Sequence, residues 1–120
     1  MAVSNSYLTF VLEQLAGVPA LVTKRMFGGA GIYSGDTFFA VIDNDTLYFK
    51  VDDTLRPQYV GRGMSPFQPM PGKGAMTGYY QVPPDVLEDA DQLSRWAKQS
   101  IVVGQPGPRG QKSKGPKTRR

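Results

Sequence analysis

Neither cysteine nor histidine occurs in this chain of 120 residues. The first absence excludes disulfides, thiolate metal sites and cysteine nucleophiles, so packing and hydrogen bonds must hold the fold. The second removes the side chain that titrates nearest neutral pH, the Ser-His and Cys-His pairings, and the commonest zinc ligand. Catalysis would have to rest on Asp, Glu, Lys or Tyr, and the chain is read as a non-enzyme without a cofactor. Long apolar runs are missing as well. Nothing approaches the roughly 20 residues of a membrane span, and residues 1–20 lack a basic stretch leading into an apolar one. A cytoplasmic protein with no membrane contact is expected.

Acids are absent from the C-terminal stretch. Residues 104–120 hold six basic side chains, Arg109, Lys112, Lys114, Lys117, Arg119 and Arg120, and no Asp or Glu. They also hold no large apolar residue, so they cannot bury enough surface to offset ordering entropy and are expected to be a disordered tail. Residues 1–103 carry eight basic and ten acidic side chains, a net of −2, so the overall charge of +4 averages a mildly acidic part with a basic one. The length fits one domain, expected at 1–103.

Within that domain the apolar pattern changes period several times. Leu8, Val11, Leu12 and Leu15 share one face of a helix that Ser4 or Ser6 can cap and that Gly17 with Val18-Pro19 can stop. Residues 21–27 alternate as a half-exposed strand does, and then Gly28, Gly29 and Gly31 surround Ala30, a cluster that predicts a bulge or a close backbone approach. Ile32 and Tyr33 resume the strand. Ser34-Gly35-Asp36 and Asp43-Asn44-Asp45 mark turns on either side of a run rich in β-branched and aromatic residues, and Leu47, Phe49 and Val51 alternate with Tyr48 and Lys50. Three such runs joined by tight turns predict an antiparallel meander.

Thr54 can cap a short middle helix carrying Leu55, Tyr59 and Val60, with Pro57 in its first turn. Residues 64–75, rich in proline and glycine, read as an irregular connection or an edge strand, and residues 76–82 as another strand. Asp89 caps a last helix whose Leu93, Trp96, Ala97 and Ile101 fall on one face, Trp96 serving as a core anchor. The predicted architecture is a two-layer α+β fold.

Three constellations bear on chemistry. Gly28 to Gly31 lacks the following helix of a dinucleotide fingerprint and the Gly-Lys-Ser/Thr of a P-loop, which favours a structural role. An EF-hand loop opening at Asp43 requires Gly sixth and Glu twelfth, but Tyr48 and Thr54 stand there, so turn and cap duties account for Asp43, Asp45, Asp52 and Asp53 and no metal is expected. The basic tail can neutralise phosphates without reading sequence. Tyr79-Tyr80 and Phe38-Phe39 could stack bases, although aromatics in strands usually face a core.

In order and spacing, Arg25-Met26-Phe27-Gly28-Gly29 with Gly31-Ile32-Tyr33, then Phe39-Ala40, Leu47-Tyr48-Phe49-Lys50 with Asp52, Tyr79-Tyr80, Val82-Pro83 and residues 93–97 resemble the TfoX N-terminal domain family. The resemblance covers about residues 5–103. It implies an α+β domain with helices at both ends of an antiparallel sheet, and a regulator of natural competence that works with the cyclic-AMP receptor protein at a subset of promoters. No catalytic set comes with it. The second, helical domain of full-length TfoX proteins has no counterpart in residues 104–120.

These readings lead to a regulatory or interaction module whose sheet face or edge meets a protein partner and whose tail, through its six cations, meets nucleic acid. Two other classes stay open at this point: a small-molecule or nucleotide binder using the glycine backbone with Lys24, Arg25 and Tyr33, and a homodimerisation module pairing through an edge strand.

Overall fold

A computed structural model describes residues 4–26, 29–68 and 76–105 of the chain. Ser4 opens the first helix, α1 (Asn5–Gln14), its Oγ accepting a hydrogen bond from the Tyr7 N–H at 3.2 Å. The Ser4 N–H donates in turn to Asp45 Oδ1 at 2.7 Å, which pins the start of the helix to a strand turn. Val11 and Leu15 are fully buried, while Leu8 and Leu12 are partly so, as the i, i+3, i+4, i+7 stripe predicts. Regular helix ends at Gln14, before Gly17, and the Leu15 N–H still reaches the Val11 carbonyl at 3.0 Å.

The sheet has six strands in the order β1-β2-β3-β4-β6-β5, with every neighbouring pair antiparallel. Its first four strands, β1 (Leu21–Met26), β2 (Gly29–Ser34), β3 (Thr37–Asp43) and β4 (Thr46–Lys50), form the meander. It contains one strand more than the sequence pattern predicts. The glycine cluster is not a bulge in one long strand: the chain reverses between Met26 and Gly29, which pair with each other, and β1 runs back along β2. Period-two alternation looks the same through a bulge and through a reversal, and glycine serves both, so the pattern does not distinguish them.

The next two turns follow their residues. Gly35, at φ 60°, takes the first central position of a two-residue β2–β3 turn, where a positive φ is required. Asn44 and Asp45, at φ 53° and 51°, both take the left-handed conformation between β3 and β4, which matches a type I′ turn. The real bulge lies further on. Ile32 pairs with Ala40 and Tyr33 with Phe38, leaving Phe39 as the extra residue of β3.

After β4 the Asp52 carboxylate, not Thr54, organises the approach to α2 (Arg56–Val60). Its Oδ1 accepts from the Thr54 hydroxyl at 2.6 Å and from the Thr54 and Leu55 N–H groups, each at 3.0 Å, and α2 itself has no side-chain cap. An aspartate two residues ahead reaches all three donors at once, whereas Thr54 spends its hydroxyl as a donor. The edge expected in residues 64–75 exists as the short β5 (Pro66–Phe67), where a proline removes no central ladder bond. The rest of that connection, residues 69–75, lies outside the described residues. β6 (Met76–Gln81) pairs with both β4 and β5.

Pro83-Pro84 does end β6, and a single-turn helix, α3 (Pro84–Leu87), follows it. Asp89 then caps α4 (Ala90–Gly104), accepting from the Gln92 N–H at 3.2 Å. Leu93 and Ala97 are fully buried on the expected face, Trp96 and Ile101 pack against the core at its margin, and Ser100 joins them as its one buried polar residue. The main core gathers Val11 and Leu15 of α1, Ile32, Phe39, Ile42, Leu47 and Phe49 of the sheet, Tyr59 of α2, and Leu93 and Ala97 of α4. This is the two-layer α+β arrangement, with the helices on one side of the sheet. No helix among the described residues is long and apolar enough to cross a membrane.

Candidate interaction surface

The bulge at Phe39 decides what the other side of the sheet presents. Phe39 and Ala40 both join the main core, which turns Phe38 and Val41 to the opposite face. There Val41, Phe67 and Tyr79 form a second buried cluster with Phe38 and Tyr48 packed against it, and it contains no helix residue. The ring contacts run in two short chains. Tyr33 meets Phe38 at 5.0 Å between centroids and Phe38 meets Tyr79 at 5.9 Å, while Tyr48 meets Phe67 at 4.8 Å. All are tilted pairs within the separation at which aromatic contacts add to burial.

Two lysines lie over this face. Lys24 Nζ sits 5.2 Å from the centroid of Tyr33 and Lys50 Nζ sits 5.0 Å from that of Tyr79, so each ammonium lies within cation–π range of a ring. Tyr33, Phe38 and Tyr48 are half-buried, and Val22 on the neighbouring β1 is 44% exposed. Burial, then the charge of Asp43, raises the Tyr48 pKa; burial, then Tyr33, raises that of Tyr79. Both phenols are therefore neutral at pH 7 and can donate hydrogen bonds.

The motif residues have several separate duties. Arg25 lies on β1 and its Nη2 donates to Asn5 Oδ1 at 3.1 Å, tying the first strand to α1. Met26 and Gly29 are the pair at the hairpin end, and Gly29 has the Ile42 carbonyl where a side chain would begin. Gly31 pairs with Lys24 on one side and Val41 on the other. Tyr33 and Lys50 belong to the aromatic face. Phe27 and Gly28, together with Arg109, Lys112, Lys114, Lys117, Arg119 and Arg120, lie outside the described residues.

Of the adjacent aromatics, Phe39 and Tyr80 face the main core, whereas Phe38 and Tyr79 face the second cluster. Val41 and Phe67 carried no individual signal in the sequence, because the bulge inverts the facing of half of β3 and β5 is only two residues long.

Three of the four aspartates weighed as metal ligands are occupied in local structure: Asp45 holds the Ser4 N–H, Asp52 organises the approach to α2, and Asp53 pairs with Arg56 at 2.6 Å. Among the described residues no group of three or more acidic side chains could hold a metal ion.

The family model of the TfoX N-terminal domain matches residues 13–103. No individual curated protein matches the chain. The matched span runs from the end of α1 through all six strands into the last turn of α4, covering the aromatic face and the core beneath it. The chain belongs to the TfoX N-terminal domain family and has, at the level of that family, a regulatory or interaction role.

Proposed function

We propose that this protein is a non-catalytic co-regulator of transcription, linked to competence or DNA uptake, that works in the cytoplasm beside a protein partner and touches nucleic acid through its basic tail. The family match is the observation that carries the reading. The charge distribution supports the division of labour: residues 1–103 are net acidic and as a whole attract a duplex little, while all six cations beyond them stand without an acid. The exposed side of β1, six residues at the end of the sheet, is the edge that suits a partner's strand.

The glycine cluster is given a structural role here, since Gly29 lies against the β3 backbone and has no room for a side chain. The test is binding to a mixed-sequence duplex across a salt series, with the full chain and a form lacking residues 106–120, since α4 runs through Gly104. The full chain should show log affinity falling against log salt by about 0.9 per phosphate contacted, and the truncated form should lose that dependence. Undiminished binding by the truncated form would remove the tail from the mechanism.

A further inference from the structure

We propose that the helix-free face of the sheet binds single-stranded nucleic acid, with bases stacking on Tyr33 and Phe38 and phosphates meeting Lys24 and Lys50. This rests on the nucleic-acid part of the function above and gives it a second surface and a substrate class.

The face has the two components that sequence-tolerant single-strand sites combine, aromatic rings for bases and cations for the backbone. Tyr33 and Phe38 are partly accessible neighbours, and Phe38 packs against the buried cluster of Val41, Phe67 and Tyr79. A base placed there extends a ring array that the fold has already ordered, so little side-chain entropy is lost on binding. The lysines sit beside that array, over Tyr33 and Tyr79. Asp36, in the turn before β3, and Asp43, its last residue, whose charge reaches Tyr48, mark the two ends of β3, so the nucleic acid's path runs between them past Lys24 and Lys50. A duplex keeps its base faces stacked inside and cannot use such a platform, whereas an unpaired strand can turn its bases onto it.

The C-terminal end of α4 adjoins this face. A Cβ on Gly104 would lie 2.8 Å from the Phe38 carbonyl, 3.2 Å from Thr37 Cγ2 and 3.4 Å from Lys50 Cδ. The C-terminal end of α4 is therefore held at the rim of the aromatic face, beside one of its lysines.

The test measures anisotropy of a labelled 20-mer of deoxythymidine and of a 20-base-pair duplex with the full chain and three full-length variants. Phe38→Leu with Tyr33→Leu keeps apolar bulk while removing the rings, and Lys24→Gln removes one surface cation. The third variant replaces the six tail cations by Gln. The single strand should bind more tightly than the duplex, and the double Leu variant should lose about tenfold in single-strand affinity with duplex binding unchanged. Lys24→Gln should lower the salt slope for the single strand by about one contact. Near-ultraviolet circular dichroism of Trp96 confirms that each variant is folded. Single-strand affinity unchanged in both face variants would overturn the proposal while leaving the tail reading in place, and it would be the result if the face takes a protein segment. Undiminished binding by the six-Gln variant, with loss in the face variants, would overturn the tail reading and keep the face.

Discussion

Gly29 and Ile42 approach so closely across the β2–β3 pair that a Cβ on the glycine would overlap the Ile42 carbonyl oxygen, with the Ile42 carbonyl carbon and Asp43 Cα directly behind it. All three atoms are backbone, so the neighbour cannot turn aside as a flexible side chain would. Gly29→Ala should destabilise the protein by about 1–3 kcal/mol, the usual cost of overpacking, read as a lower urea midpoint with unchanged slope. Gly35→Ala is the informative comparison: it has open space around it and only the positive φ to accommodate, and it should cost less. Equal effects at the two sites would mean that Gly29 matters for conformation and not for contact.

Tyr59 carries the opposite kind of problem. Its ring is fully buried, meeting Trp96 edge-on at 4.9 Å and Tyr80 at 6.3 Å. Its hydroxyl is beside that of Ser100, yet the two do not reach hydrogen-bonding geometry, and each is buried without a partner. Burial raises the phenol's pKa far above its ordinary value, so it stays neutral. Removing an unpaired buried hydroxyl recovers its desolvation cost. Tyr59→Phe and Ser100→Ala should each leave stability unchanged or raise it by up to about 1 kcal/mol, while Tyr59→Ala should cost about 3–5 kcal/mol through lost ring volume. Thermal unfolding separates these cases; a clear loss in Tyr59→Phe would show that the hydroxyl is satisfied in solution.

Helices α1, α2 and α4, the two hairpin turns at Gly35 and Asn44-Asp45, an edge strand as one of two readings of residues 64–75, and the Asp89 cap were legible in the sequence, because each depends on residues within one or two turns of chain, whereas the single-turn α3 carried no signal of its own. The hairpin at Met26 and Gly29 and the facing of Phe38 and Val41 were not. Both depend on register, which is fixed by which strand lies alongside and not by local preference. The aromatic face was half-visible for the same reason: Tyr48 and Lys50 alternate cleanly against Leu47 and Phe49, but one extra residue in β3 hides that Phe38 is their neighbour in space.

Asp52 makes stability depend on pH in the acid range. The hydrogen bond from the Thr54 hydroxyl lowers its pKa most; partial burial opposes this, and the Leu55 and Thr54 N–H groups lower it further. A carboxylate whose folded pKa is below its unfolded value of about 3.9 stabilises the fold above that value, and the contribution is lost as pH falls through the folded pKa. Asp52→Ala should cost about 1 kcal/mol at neutral pH, as the loss of a capping carboxylate does, and the gap to the native protein should narrow below about pH 4. Urea midpoints at several pH values measure it. A gap that is constant down to about pH 2 would rule out the charge as the source of the effect.

Arg62 joins two surface contacts of unequal worth. Its Nη1 pairs with Asp85 Oδ2 at 2.9 Å, and its guanidinium carbon lies 5.3 Å from the centre of the Trp96 ring. The Arg62 and Asp85 side chains are 43% and 70% exposed, so water and salt screen the pair and Asp85→Ala should cost no more than about 0.5 kcal/mol. The contact with Trp96 differs, because the flat guanidinium covers an apolar ring that also supports Tyr59 from its edge. Arg62→Ala should therefore cost about 1 kcal/mol, most of it retained at high salt where the ion pair is screened. Arg62→Lys should recover less than the shared charge suggests, since an ammonium cannot lie flat on the indole. A double-mutant cycle decides the question: coupling of Arg62 to Trp96 should exceed its coupling to Asp85, and the reverse order would make the ion pair the principal contact of this corner of the fold.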